Sequence, residues 1–525
     1  SGDVLLTGQA TGDEMSKIEV SVGYLAPSCA SEVWVDDNAA SSWYNFTQVA
    51  NVQTGIDHVC PYGTVYVHPG FYNEQLLIDK PLTLVSTDGL AVTTIEKMVN
   101  TLITVDASEV IIDGFTLIGD AASESEHKGI FISGSYSDID IKNCDITASA
   151  PVWVHWASVN HKNISITNNV IHDGDWGLVM FNVNDSEIIN NQFNELSDLG
   201  IQLSSWGSRP LPSSNLIQSN SFDSIGFHDL LIQAEKTLIE YNDILGGGEY
   251  GIGIANELQG YTDTFSVTNN VIQFSNISGH NKQGVATGYH IGIKPGVFQV
   301  EFIPELVDAE CNWWGDISGP YNESTNPTGL GDAVAGNVDY CPWLTDAYPA
   351  GDCTGGAICR NVDTGELFCC IQCAIDDSDT LNGHSIEVFA GTHVEQVKVD
   401  KSVTIYGQGT GSTIIQSPDT LTDYFTTSND NYPIVYVDNV DDVIIHNLTV
   451  DGAGKGNGNY RFIGIAFYQA GGTLKDLEVL NVQDTPFSGA QHGTGIYAWV
   501  DGMGSSYDVV VQDCVVEDFQ KNGIT

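Results

Sequence analysis

Two short stretches carry side chains suited to acid–base chemistry: His172-Asp173-Gly174-Asp175-Trp176 and Phe227-His228-Asp229. Hydrolysis of a glycosidic bond needs two carboxyl groups on one face, about 6.5–9.5 Å apart in the inverting case. Asp173, Asp175 and Asp229 are therefore the candidate catalytic residues, and on successive backbone coils the two stretches would share a groove. The plainer alternative is a polar turn beside an exposed face, and a chain with 68 acidic residues forms such clusters without any function. On that balance the sequence predicts no catalytic site and no enzyme. Histidines are scattered with no i, i+4 pair, so no transition-metal site is expected. Calcium between coils is compatible with Asp and Asn side chains, no ligand set stands out, and no other cofactor is expected. Trp153, Trp156, Trp176, Trp206 and Trp499 would stack on sugar rings if exposed, but aromatics on alternating strands more often fill an interior.

Charge narrows the partners. Against 68 acidic residues stand 17 basic ones, a net charge of -51, and only three are arginines: Arg209, Arg360 and Arg461. Such a field repels phosphate backbones and anionic lipid, so nucleic acid is excluded as a partner. It suits divalent cations, high salt or a hydrated surface coat. No run of about 18 apolar residues occurs, so no helix is expected to span a membrane. The first residues lack a basic and then apolar leader; if a signal peptide existed, it has been removed.

Eleven cysteines are many for a reducing compartment. Only Cys370-Ile-Gln-Cys373 has knuckle spacing and no second pair matches it, which favours disulfides over zinc. Cys29, Cys60, Cys311, Cys341, Cys353, Cys359, Cys369, Cys370 and Cys373 are the disulfide candidates, and the odd total leaves at least one thiol unpaired or bridged between chains. Sequons at Asn45, Asn163, Asn184, Asn276, Asn322 and Asn447 agree with export and are the candidate glycosylation sites.

The elements that would position these residues are repeats. One pattern recurs: apolar, two residues, Asn, one residue, apolar. It reads Ile166-Thr-Asn-Asn169-Val-Ile171, Ile188-Ile-Asn-Asn191-Gln-Phe193, Ile217-Gln-Ser-Asn220-Ser-Phe222, Ile239-Glu-Tyr-Asn242-Asp-Ile244 and Val267-Thr-Asn-Asn270-Val-Ile272. Asn312 continues the series, and Cys144 and Cys514 occupy the same slot, which predicts buried thiols there. The spacings of 22, 29, 22 and 28 residues are too irregular for a helical repeat. They fit a coil that keeps its strands and varies its loops. A second motif, Gly before an apolar strand, follows each first one, as in Gly177-Leu178, Gly200-Ile201 and Gly251-Ile252. Stacked coils would line up the inward Asn residues as a ladder that satisfies buried amides.

A larger repeat overlies this one. The stretch from Thr64 to Leu84, with Gly70, Glu74, Asp79 and Lys80, matches that from Ser385 to Ile405, with Gly391, Glu395, Asp400 and Lys401. Each is preceded by a short amphipathic segment, Val52 to Val59 and Ile371 to Ile375, fit to plug the first coil. These residues resemble the start of pectin-lyase-like β-helices, the group described as carbohydrate-binding and sugar-hydrolase domains. Asn312-Trp313-Trp314-Gly315 through Gly319-Pro320, and Pro342-Trp343-Leu344, resemble a closing element of archaeal and bacterial surface-layer and sheath proteins. The resemblance implies an all-β chain of two tandem right-handed parallel β-helices with short capping helices. Its boundaries are an N-terminal strand segment at 1–30 suited to contact with another subunit, a first β-helix at 31–345, a Cys- and Gly-rich connector at 346–370, and a second β-helix at 371–525 whose last coil is uncapped. Lyases of this fold use Arg or Lys beside calcium, and polygalacturonase-like enzymes show Asn-x-Asp, Asp-Asp, Gly-His and Arg-x-Lys; neither set occurs here.

The resulting expectation is an extracellular, cell-surface structural protein that joins itself head to tail into a filament, sheath or layer. A carbohydrate-binding adhesin is the alternative, ahead of a polysaccharide hydrolase or lyase.

Overall fold

Strand-forming residues alternate with left-handed corners along almost the whole chain, and the result is a stack of coils. The computed structural model describes residues 4–7, 21–24, 29–122, 127–155, 160–205, 211–245, 248–254, 267–280, 283–287, 306–489, 492–501 and 506–525. Trp156, Trp206 and Arg209 lie outside the described residues. The chain divides into two compact units, Ser1–Cys353 and Thr354–Thr525.

In the first unit a fourteen-stranded sheet and a seventeen-stranded sheet run through the stack. Their strands pair in parallel with the strands of the coils before and after, as Ser137–Lys142 does with Val110–Asp113 and His161–Thr167. Inward side chains therefore stand in columns. Leu84, Ile112, Ile141, Ile166, Ile188, Ile217, Ile239 and Ile272 are successive register partners, and all are buried. Each such side chain contributes about 1.5–3 kcal/mol through removal from water, so the core is a line of small equal terms rather than one centre. The short ribbon Val4–Thr7 with Ser21–Tyr24 is antiparallel. In the second unit each coil gives one strand to each of three sheets, of seven, five and six strands.

Corners are where the Asn slots matter. The backbone N–H of Cys144 donates to Asn169 Oδ1 at 2.9 Å, Asn169 N–H to Asn191 Oδ1 at 3.0 Å, Asn191 N–H to Asn220 Oδ1 at 2.9 Å, and Asn220 N–H to Asn242 Oδ1 at 2.9 Å. Each Asn amide also reaches back to the coil before, as Asn191 Nδ2 does to Ile166 O. The residue preceding each slot is left-handed: Asn168, Asn190, Ser219 and Tyr241 have φ of 56, 57, 56 and 57°.

The ladder then departs from the spacing in the sequence. Asn242 N–H donates to Ser275 Oγ, and Ser275 N–H to Asn312 Oδ1, so Ser275 holds the rung expected at Asn270. Asn270 belongs to a second ladder at the opposite end of the same sheet, where its Oδ1 accepts from Thr237 N–H and Ser186 N–H donates to Asn215 Oδ1. Both ends of the strand turn through a left-handed residue followed by an inward polar one, so the two corners look alike in sequence.

The plugging segments are helices, Val52–His58 and Ile371–Asp376. Disulfides join Cys29–Cys60, Cys311–Cys353 and Cys370–Cys373, and Cys341 and Cys369 are also disulfide-bonded. Cys359 is not bridged: its strand Cys359–Asn361 turns the thiol into the core of the second unit, 3.4 Å from Cys370 O. Cys144 is a buried thiol, while Cys514 is only half-buried.

Candidate functional site

The strands Val170–Phe181, Gln192–Ser204 and His228–Ile232 carry the candidate site on the outer face of the first unit. In register across coils stand Trp176, Leu199, His228 and Tyr250, with Trp176, Leu199, Leu231, Tyr250 and Phe227 forming an apolar cluster outside the main core. The two stretches of the sequence reading are thus separated by an intervening coil, and that coil supplies a residue the reading missed.

That residue is Asp198. Between the pairs Gly174/Leu196 and Trp176/Leu199 the register shifts, so one residue, Asp175, faces two, Ser197 and Asp198. Such a bulge re-aims side chains. Trp176 Nε1 donates to Asp198 Oδ2 at 2.5 Å. Burial pushes the Asp198 carboxyl above its ordinary range; the indole bond opposes this and the nearby charge of Asp175 adds to it. Asp175 accepts from Ser149 Oγ at 3.0 Å and Ser197 Oγ at 2.7 Å. Two carboxyls on adjacent coils, one made a weaker acid by its surroundings, are the arrangement from which acid and base roles separate. Beside them Trp153 packs 5.5 Å from Trp176 at 43°, and Lys128 Nζ lies 5.1 Å from the Trp153 ring centre.

Asp173 stands apart from this pair. It is exposed and left-handed, with φ of 55°, and bonds His172 Nδ1 at 2.7 Å while Asp145 bonds Nε2 at 2.7 Å. Burial works against the His172 proton, but the two carboxylates outweigh it and hold the imidazole above its usual range.

Asp229 turns off the face that carries His228, as successive strand residues must. It occupies a column otherwise held by Gly177, Gly200 and Gly251, register neighbours through the pairs on either side. A Cβ on Gly200 would sit 2.5 Å from Asp229 O. Asp229 Oδ2 bonds His280 Nε2 at 2.7 Å, and Asp332 Oδ2 bonds Nδ1 at 2.5 Å. Asp332 also accepts the N–H groups of Gly279 and His280. The imidazole is completely buried; burial disfavours its charge, yet the flanking carboxylates raise it to about 9. Burial likewise pushes the Asp229 carboxyl up, against the bond from His280. With both ring nitrogens engaged, this is an ionic clasp across three segments, and Asp229 does not join Asp175.

A groove of about 590 Å³ follows the other sheet, lined by Tyr62, Glu109, Asp138, Asp140, Asp185 and Glu187; it holds no indole or imidazole. Among the described residues no group of three or more His, Cys, Asp or Glu is placed to hold a metal ion, and no helix is long and apolar enough to cross a membrane. Of the sequons, Asn45 and Asn163 are exposed, Asn184, Asn322 and Asn447 are half-buried, and Asn276 is buried. Trp499 is exposed, whereas Trp153 and Trp176 are half-buried.

Residues 101–288 match the family described as "Right handed beta helix region". The chain folds as a right-handed parallel β-helix. No curated protein matches. Solved structures similar to the β-helix include a pectin methylesterase from Aspergillus niger, at 12% identity over 52% of this chain and 92% of that one with a TM-score of 0.33. Pectate lyase Pel9A shares 11% identity over 61% of this chain and 82% of that one, with a TM-score of 0.35. The catalytic domain of a GH87 α-1,3-glucanase in complex with nigerose shares 10% identity over 97% of this chain and 69% of that one, with a TM-score of 0.34. The expectation of no enzyme is corrected by these comparisons, since all three similar structures are enzymes. The β-helix is thus a fold shared with hydrolases and lyases, and the disulfides fit an oxidising compartment.

Proposed function

We propose that this β-helix protein is exported and acts on a neutral polysaccharide by glycoside hydrolysis, with Asp198 as the general acid and Asp175 as its partner carboxylate. The observation that carries the reading is the half-buried Asp198 carboxyl, bonded by Trp176 and raised above its ordinary range next to Asp175. A carboxyl whose surroundings favour its protonated form is suited to protonate a leaving oxygen, and a second carboxylate beside it serves the other half of the reaction. Trp153 and Trp176 give a surface on which a sugar ring stacks. The net charge of -51 favours uncharged glycans over acidic ones. Incubation with neutral and acidic polysaccharides, followed by assay of new reducing ends, tests this; Asp198→Asn and Asp175→Asn should each lower the rate at least a hundredfold. Wild-type rates in both variants would end the assignment.

The acid excess, 68 residues against 17, favours a second reading of location: a hydrated cell-surface protein that associates with copies of itself in a filament, sheath or layer. Electron microscopy of native material tests it, and dispersed monomers would remove it.

A further inference from the structure

In a chain with four acidic residues for each basic one, carboxylates are at hand for many of the cations. Arg360 pairs with Glu387, Lys398 with Asp400 and Asp438, Lys455 with Asp419, and Lys475 with Asp476. Lys80 and Lys401 reach the backbone carbonyls of Asp57 and Asp377 instead, and one corner of the second unit brings two cations without a carboxylate together. Arg461 and Lys521 have no carboxylate partner among the described residues, and they stand together with His492.

The coil stack explains why these residues meet. Arg461 precedes the strand Phe462–Tyr468, His492 comes shortly before Thr494–Trp499, and Lys521 precedes Asn522–Ile524. Those strands are parallel neighbours, so the three side chains form a column at one corner. Arg461 is left-handed, with φ of 55°. Its Nη1 donates to Thr427 Oγ1 at 2.9 Å and its Nη2 to Ser428 Oγ at 2.7 Å. Neutral hydroxyls orient the guanidinium without neutralising it, and its Nε is buried with no partner. Lys521 Nζ lies 2.7 Å from His492 Nδ1. Since an ammonium only donates, the imidazole accepts there. Burial and the charges of Lys521 and Arg461 hold His492 below its usual range.

We infer that Arg461, His492 and Lys521 form a binding site for a single oxyanion: a sulfate, phosphate or carboxylate group carried on a small ligand. The three line a cavity of about 130 Å³ together with Asn431, Thr494, Tyr497, Asn522 and Thr525, room for a few waters or one such group. Two cations lining one small cavity repel each other, and an oxyanion between them converts that repulsion into attraction. The charge of the whole chain sets the ligand's size. At -51 the long-range field turns polyanions away, while a ligand with one anionic group meets mainly the local positive corner. Tyr497 lines the cavity, and the Trp499 ring runs 3° from parallel to it at 6.4 Å; this places an aromatic surface beside the anion for the rest of the ligand.

The test titrates the full chain with sodium sulfate, inorganic phosphate or glucuronate, against sodium chloride at matched ionic strength. Binding is followed by calorimetry and by the NMR titration of the His492 imidazole. The expected result is saturable binding of at least one of the three, with His492 moving toward higher pKa when the anion is present. Which probe binds separates tetrahedral from planar oxyanions. Lys521→Met, at an exposed position, and Arg461→Gln should each weaken binding at least tenfold, with the Lys521 variant melting as the wild type does. No saturable binding by any probe, or binding unchanged in the Lys521 variant, overturns the site.

Discussion

Glu395 holds the second plugging helix as Glu74 holds the first. Both carboxylate oxygens of Glu74 accept the N–H groups of Val52 and Gln53, at 2.8 and 3.0 Å, and those of Glu395 accept the N–H groups of Ile371 and Gln372, at 2.9 and 2.7 Å. Gln53 and Gln372 then bond back to the strand after each glutamate, at Leu77 and Lys398. A helix start left without partners is costly when buried. The duplicated sequence therefore preserves a way of closing a coil stack, with a glutamate reaching from the next turn to cap the plug.

Removing either cap should open the end of its own unit. Glu74→Ala and Glu395→Ala leave two backbone donors without acceptors, and each should cost about 2–4 kcal/mol. The loss is read as a lower urea midpoint, with faster amide exchange confined to Val52–His58 or Ile371–Asp376. Exchange rising equally in both helices for one substitution would contradict separate plugs.

The two Asn ladders predict which pairs of residues interact. Asn220 Nδ2 donates to Asn242 Oδ1 at 3.1 Å, while Asn242 continues to Ser275 and Asn270 serves Thr237. Double-mutant cycles to Ala should give a coupling of about 1 kcal/mol or more for Asn220 with Asn242. For Asn242 with Asn270 the effects should add to within about 0.5 kcal/mol. A large coupling in the second pair would restore the single ladder that the sequence spacing suggests.

Much of the architecture was legible because stacking repeats its demands on every coil. The Asn169, Asn191, Asn220 and Asn242 rungs follow from an apolar residue three before and two after. Asn270 misleads because its own flanks, Val267 and Ile272, satisfy the same rule at the other corner. The acid pair was half legible. Asp175 and Asp198 each stand two residues before a Gly-apolar strand start, at Gly177 and Gly200, a signal that was present; the bulge that aims them was not. The Asp229 clasp had no local trace, since His280 and Asp332 come from segments far along the chain.

The clasp makes the first unit sensitive to alkali. His280 has a folded-state pKa of about 9, against an ordinary value of 6.5. Its contribution is fully present below about pH 6.5 and is lost as pH rises through about 9, because the folded state then releases a proton it held more tightly than the unfolded chain. The difference amounts to about 3 kcal/mol. Urea unfolding at intervals from pH 6 to 10 should show this decline in the wild type. His280→Gln should be less stable at pH 6 and nearly flat over the same range. A parallel decline in the variant would assign the pH dependence elsewhere.

The last prediction concerns Trp176 and rests on the proposed acid role of Asp198. The indole N–H stabilises the ionised carboxylate, so it opposes the effect of burial. Trp176→Phe keeps an aromatic ring and removes the donor. Without it the Asp198 pKa should rise further, because a hydrogen bond to the charged form is lost. An acid that must be protonated to work then stays active to higher pH, so the alkaline limb of the pH–rate profile should move to higher pH. A purely structural Trp176 would lower the rate at every pH and leave the limb in place, as would an acid residing on a residue other than Asp198.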